Sequence, residues 1–257
     1  MWTSRATSPN PSPSNNSPTA RHIRRAPKPK AAKVISSALA QLQALADPAK
    51  AAEALAYHKV DRPYLGLRVP QIEELTSAWR ADLSLEDRIQ LASDLWDSNI
   101  HDARIAAAKL LTQARIKPDD TAAWDLICTW VEDFDAWALA DHVCIAAQKR
   151  ITADPARIET VEGWTQSDNM WTRRAALVAT LPFTKQNFPK DFELAIRDRV
   201  LTWAAAYCDD RDWFIQKAVA WWLRDLSKHD PDRTVDFIEE HGDRMKSFAR
   251  KEASQYL

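Results

Sequence analysis

The sequence predicts an all-α protein built as a helical-repeat solenoid, an α-α superhelix with a concave face. Three observations carry that prediction. Only Gly66, Gly163 and Gly242 occur in 257 residues. Hairpin-rich sheets therefore lack the φ > 0 residues their turns need, and there are no glycine-rich loops to cradle phosphates. Ala, Leu, Glu, Lys and Arg, the strongest helix formers, are abundant. Segments of helical period also recur at near-constant spacing along the chain.

Residues 1–33 stand apart. They hold seven Lys/Arg, no acid and six of the fourteen prolines. Such a segment buries too little apolar surface to order itself, so the expectation is a disordered basic tail. It reads either as a solvated tail or as a basic arm that adds salt-sensitive attraction to a polyanion. Residues 34–257 then form a single helical-repeat domain. The period predicts helices at about 34–46, 48–57, 69–80, 84–97, 100–115, 119–133, 135–151, 154–167, 169–183, 189–207, 212–228, 230–241 and 245–256. Ser84 with Asp87 resembles a capping box, and Asp119, Asp135 and Asp168 sit where N-caps are expected. Pro155, Pro189 and Pro231 stand at first-turn positions.

Superposing alternate helices exposes the repeat. Segments starting at His101, Asp135, Asn169, Arg211 and Lys246 are separated by 34, 34, 42 and 35 residues. Their third position is Ala103, Trp137, Trp171, Trp213 and Phe248, with small residues in mid-helix. A helix pair every ~35–45 residues is the mark of HEAT-like stacking. The 42-residue step implies a longer connection near Phe183–Phe188. Second helices of the pairs should line the concave surface, and they carry Arg104, Lys109, Lys149, Arg150, Arg173, Arg174, Lys217, Arg224, Arg250 and Lys251. Outside the tail, 28 basic face 36 acidic residues, a formal −8. Any polyanion binding must then come from one basic face on an acidic body.

Several classes are excluded or disfavoured. No apolar run approaches membrane-spanning length, and the N-terminus lacks an apolar signal core, so a cytoplasmic protein is expected. Cys128, Cys144 and Cys208 are isolated, which fits reduced buried thiols. The histidines show no ligand spacing, so no metal and no cofactor is expected.

Asp141 is the first candidate for chemistry. Leu139, Val143 and Ala146 lie roughly 140–200° around the helix from it, so Asp141 points away from the apolar stripe. Trp137, at i−4, stacks on the same surface. A carboxylate beside an aromatic face suits a cationic centre; the pattern alone is also, and more often, that of a solvated or ion-paired acid. Arg174, one repeat on, reads either as a phosphate clamp or as a structural partner of Asp141. Trp221 and Trp222 are adjacent and must face different ways, which leaves one of them for the groove.

These residues carry a family likeness over about residues 55–257. YLGLRVPQIEEL from Tyr64, LWDSNIHDARIAAAKLL from Leu95, WALAD from Trp137, NMWTRRAAL from Asn169 and DWFIQKAVAWWLRDL from Asp212 together resemble the AlkD-like DNA alkylation-repair glycosylases. The pattern departs at Ala138, where the family usually has Asp. The resemblance implies that Asp141 is the catalytic carboxylate. It implies that Trp137, Arg174 and Trp221 contact the lesion or its backbone, with Arg173 and Lys217 as further DNA contacts. The partner is then double-stranded DNA carrying alkylated bases, bound by a monomer, and the reaction is hydrolysis of the N-glycosidic bond of N3-methyladenine or N7-methylguanine. A shallow groove need not supply a base pocket, so both a flipped base and removal of a still-stacked cationic base stay open; a deep pocket beside Asp141 would count against the stacked reading. The alternative is a non-catalytic HEAT-like scaffold that binds DNA or protein.

Overall fold

The computed structural model describes residues 29–257, and of 29–32 the backbone alone. The basic tail expected at 1–33 thus lies largely outside the described residues. Thirteen α-helices, with no strand among the described residues, follow in order: α1 Pro29–Ala44, α2 Pro48–His58, α3 Val69–Asp82, α4 Leu85–Asp97, α5 His101–Leu110, α6 Thr121–Glu132, α7 Trp137–Ala153, α8 Ile158–Trp164, α9 Met170–Ala179, α10 Asp191–Tyr207, α11 Trp213–Ser227, α12 Pro231–His241 and α13 Ser247–Ala253. The helices α3, α5, α7, α9, α11 and α13 form one continuous row, each packed on the next, and α4, α6, α8, α10 and α12 back it. The predicted solenoid is therefore the observed one. Close approach within the row follows from its alanines: Ala106, Ala107, Ala140, Ala147, Ala175, Ala176, Ala218, Ala220 and Ala249 are all at most 2% exposed. The core is one contiguous apolar cluster running through both rows.

Boundaries differ from expectation where side chains compete with the backbone. The helix expected to 115 stops at Leu110, because the carbonyls of Gln113 and Ala114 turn to the buried Arg150 guanidinium. The helix expected to 183 stops at Ala179 and continues as a 3-10 turn, Leu181–Thr184. The Thr180 hydroxyl bonds back to the carbonyls of Ala176 and Leu177, and Pro182 has no N–H to carry the helix on. This turn and the loop after it form the longer connection read from the 42-residue step.

Caps are mixed. Ser84 accepts from the Asp87 N–H at 3.2 Å and its hydroxyl donates to the Asp87 carboxylate at 3.0 Å. Asp119 accepts from the Thr121 N–H. Asp168 does not cap α9; Asn169 does, accepting from the Trp171 N–H at 2.9 Å. Asp135 caps nothing and instead pairs with Arg62.

The segment between α2 and α3 is pinned to α5. Asp102 accepts from the Leu65 N–H at 2.7 Å and the Leu67 N–H at 2.8 Å, which fixes the turn at Gly66. Gly66 has φ +76°, and a Cβ there would lie 2.5 Å from both the Ala51 nitrogen and the Asp47 carbonyl oxygen. Those atoms are backbone at the start of α2, so they cannot step aside alone. We expect Gly66→Ala to lower stability by at least about 2 kcal/mol, from left-handed strain plus the clash. A chemical denaturation midpoint checks this; an unchanged midpoint would mean that α2 is free to move.

Candidate active site

Helix α7 begins at Trp137 without a side-chain cap; Ala136 holds the N-cap position. Its start is fixed from outside. Asp135 is paired with Arg62, whose side chain is 2% exposed. Asn169 donates to the Phe134 carbonyl at 2.7 Å, and the Thr172 hydroxyl to that of Val131 at 2.7 Å. The first turn therefore has a fixed direction. Leu139, Val143 and Ala146 are buried on one face, while Trp137 and Asp141 share the wall of a cavity on another.

That cavity has a volume of about 320 Å³. It lies between α2, the Gly66 segment, α5 and α7. Its floor is buried: His101, Asp102, Ile105 and Ala138 are 3–7% exposed. Its mouth is apolar and open, with Tyr57, Val69 and Ile145 among the exposed large hydrophobic residues. Trp137 sits in a ring cluster, 6.0 Å edge-on from Tyr57 and 5.5 Å from His58. His58 is in turn 4.6 Å from His101. A second groove continues past Tyr57, His58 and Gly66 to Lys50 and Arg68.

The histidines look scattered along the sequence, yet the fold brings three of them together: His58, His101 and His142 all line this cavity. They stand roughly one 40-residue repeat apart, so the stacking aligns them. Burial pushes the His101 pKa down to about 3, helped by His58, Arg62, His142 and Arg104. Burial also lowers His58, against a weaker pull from Asp102. His142 is lowered by burial and then by Lys109, against the pull of Asp141 and Glu73. All three are thus neutral imidazoles at neutral pH. Among the described residues no group of three or more His, Cys, Asp or Glu side chains is placed to hold a metal ion.

Two carboxylates line the cavity, Asp102 and Asp141. Asp102 is committed to the Leu65 and Leu67 N–H groups and is 3% exposed. Asp141 is 26% exposed at its side chain, and so is the carboxylate with lone pairs facing the space. Arg174 grips it through both terminal nitrogens, one of them at 3.3 Å. Of the two readings open for Arg174, the structure displays the ion pair. Its side chain is 5% exposed, and its Nε is buried without a partner. The pair joins α7 to α9 and sets the orientation of the Asp141 carboxylate.

The other expected site residues lie elsewhere on the row. Arg173 donates to Asp210 at 3.0 Å and to the Ser167 and Asp168 carbonyls. Lys217 pairs with Glu252 at 2.5 Å, as does Arg224. Trp221 shares the α11 face of those two residues and is half-buried, while Trp222 is wholly buried. Trp221 is not part of the Asp141 cavity wall; α9 intervenes. The expected basic gathering on the second helices is largely consumed in internal pairs. Arg150 binds Asp120, Lys109 binds Glu73 at 3.6 Å and Arg250 binds Asp243 at 2.9 Å. Arg104 stacks over Trp96 at 4.6 Å. Lys149 and Lys251 remain exposed, with no ion pair among the described residues. Sequence reasoning missed Tyr57 and the three histidines; the repeat spacing of the histidines was the available signal.

No curated protein matches the chain. Among solved structures, one described as a predicted DNA alkylation repair enzyme from Enterococcus faecalis is similar at 20% identity, with a TM-score of 0.69, covering 82% of this chain and 96% of that one. AlkD2 from Streptococcus mutans is similar at 18% identity, with a TM-score of 0.56, covering 74% and 91%. At these identities the likeness is one of fold. The sequence model of the DNA alkylation repair enzymes matches residues 38–257. The chain belongs to the DNA alkylation repair enzyme family.

Proposed function

We propose that the chain is a DNA glycosylase that hydrolyses the N-glycosidic bond of cationic alkylated purines, N3-methyladenine and N7-methylguanine, in double-stranded DNA. The observation that carries the reading is Asp141: the one cavity carboxylate not committed to backbone N–H groups, beside the Trp137 ring. The three imidazoles around it add no positive charge.

The chemistry needs little else. Alkylation puts a positive charge on the base, so the base departs neutral, taking the electron pair of the C1′–N bond. Positive charge then moves to the sugar, as in glycoside hydrolysis. A fixed carboxylate stabilises that charge because it is already oriented when the charge develops, and Arg174 supplies the orientation. Water adds to C1′ and gives up one proton, leaving an abasic sugar. No lysine lines the cavity, which supports water rather than a protein amine as the nucleophile and hence a monofunctional enzyme. Arg68 in the adjoining groove, with the exposed Lys149 and Lys251 on the row, is among the cations open to phosphates, whereas Lys50 in the same groove is paired with Asp47 at 3.0 Å.

The test is release of methylated base from a duplex carrying N7-methylguanine, followed by chromatography. The expected result is release well above the spontaneous rate in the same buffer. Release at the spontaneous rate would favour the non-catalytic scaffold.

A further inference from the structure

We infer that Glu252 on α13 is an internal competitor for DNA phosphate: it occupies Lys217 and Arg224 on α11 and so limits the protein's hold on duplex DNA. This rests on the DNA-directed reading above and concerns binding rather than the glycosidic bond.

The repeat register places these groups on the Asp141 side of the row. Asp141, Lys217 and Glu252 each stand six residues after their repeat start, at Asp135, Arg211 and Lys246. Equivalent positions of stacked repeats share one face. On α11, Lys217, Trp221, Arg224 and Lys228 follow at steps of four, three and four residues, which keeps them in one stripe along the helix. Trp221 is half-buried in the middle of it. A line of cations on that side suits a phosphate backbone.

The stripe is charged but held. Lys217 donates to one oxygen of the Glu252 carboxylate and Arg224 to the other, both at 2.5 Å. Arg224 also lies 3.7 Å from Asp225, which Lys185 and Lys228 approach at 3.9 and 3.8 Å. Four cations therefore share two carboxylates, and positive charge is in excess. Glu252 comes from the next helix of the row, not from α11 itself. That helix does not need the ion pairs to dock, because Ala249 and Ala253 pack it onto α11 with 0% exposure. Lys217 and Arg224 remain 38% and 26% exposed at their side chains, so both reach solvent while gripping the carboxylate. A phosphate offers a guanidinium the same paired oxygens as a carboxylate. DNA at this end of the row must then displace Glu252 or bind against its charge, and either course weakens binding.

The experiment uses the full chain and an unmodified duplex, with binding read by fluorescence anisotropy over a series of salt concentrations. In Glu252→Gln the slope of log K against log salt is expected to steepen by about 0.9, the value of one further phosphate neutralised. Binding at low salt should tighten about fivefold, the worth of one charge contact in water. The amide keeps the shape of the side chain, so the change reports charge. Adding Lys217→Met to Glu252→Gln should return the slope to that of the wild type. Glu252→Ser makes the same charge change should the first variant fail to fold. Unchanged or weaker binding by the folded Glu252 variants would overturn the competitor and make Glu252 a structural brace. If the wild type still releases methylated bases, that outcome leaves the glycosylase reading standing. A steeper slope in a protein that releases no base would support the competitor and remove the glycosylase reading.

Discussion

Arg150→Ala is expected to lower stability by about 3–5 kcal/mol, the scale of a broken buried charge pair. The Arg150 side chain is 0% exposed. It donates to Asp120 at 2.7 Å and, through its other terminal nitrogen, to the carbonyls of Gln113 and Ala114. Arg157 grips the same Asp120 carboxylate at 2.5 Å and 2.9 Å. One guanidinium thus ties the frayed end of α5 to α7 and to the start of α6. Alanine leaves two carbonyls and a void behind. Against a total stability of roughly 5–15 kcal/mol the loss is severe, and at a urea slope of about 2 kcal/mol/M it moves the midpoint by about 2 M. The same network gives acid sensitivity. The hydrogen bond from Arg157 lowers the Asp120 pKa below its usual 3.8, so this contribution is present above that value and is lost as pH falls through the folded pKa. Were Arg150 a DNA contact on a solvated face, the variant would instead keep its stability and lose about 0.9 from the salt slope of DNA binding.

Asp141→Asn is expected to reduce base release by about 10²–10³, the usual consequence of removing one preorganised electrostatic group. Shape is preserved and the amide oxygen still accepts from Arg174, so the loss reports charge. Stability also falls, by about 2 kcal/mol, because the buried Arg174 guanidinium keeps a neutral partner in place of a carboxylate. That is less than a full pair loss, since Asp141 is a quarter exposed and water supplies part of the difference. DNA binding to an unmodified duplex should hardly change. The two variants therefore differ in chemistry per folded molecule: Arg150→Ala leaves it intact while damaging the fold, and Asp141→Asn removes most of it at a smaller cost in stability.

Local features were legible in the sequence and distant ones were not. The i, i+4 pairing of Trp137 with Asp141 follows from one helix, and the structure puts both on one cavity wall. The alternation of helices and the long connection after α9 follow from spacing. Asp135 looks like a cap because its partner Arg62 belongs to a loop far earlier in the chain. Arg150 reads as a surface cation because helical periodicity cannot distinguish a solvated face from one covered by the next repeat, whereas the repeat positions of Arg174 and Asp141 leave their pairing open as one of two readings. In both pairs the acid sits about one repeat away, and the register of the stack brings the partners together. The histidine cluster has the same origin. Each histidine is ordinary in its own helix, and three helices must pack before the cavity exists.

We propose that Asp141 acts on the glycosidic bond. Its most direct test is single-turnover release of N7-methylguanine from one duplex, with protein in excess, comparing wild type and Asp141→Asn at a temperature where both are folded. The expected result is wild-type release well above the spontaneous rate and a fall of about 10²–10³ in the variant. Equal rates for the two folded proteins would contradict it.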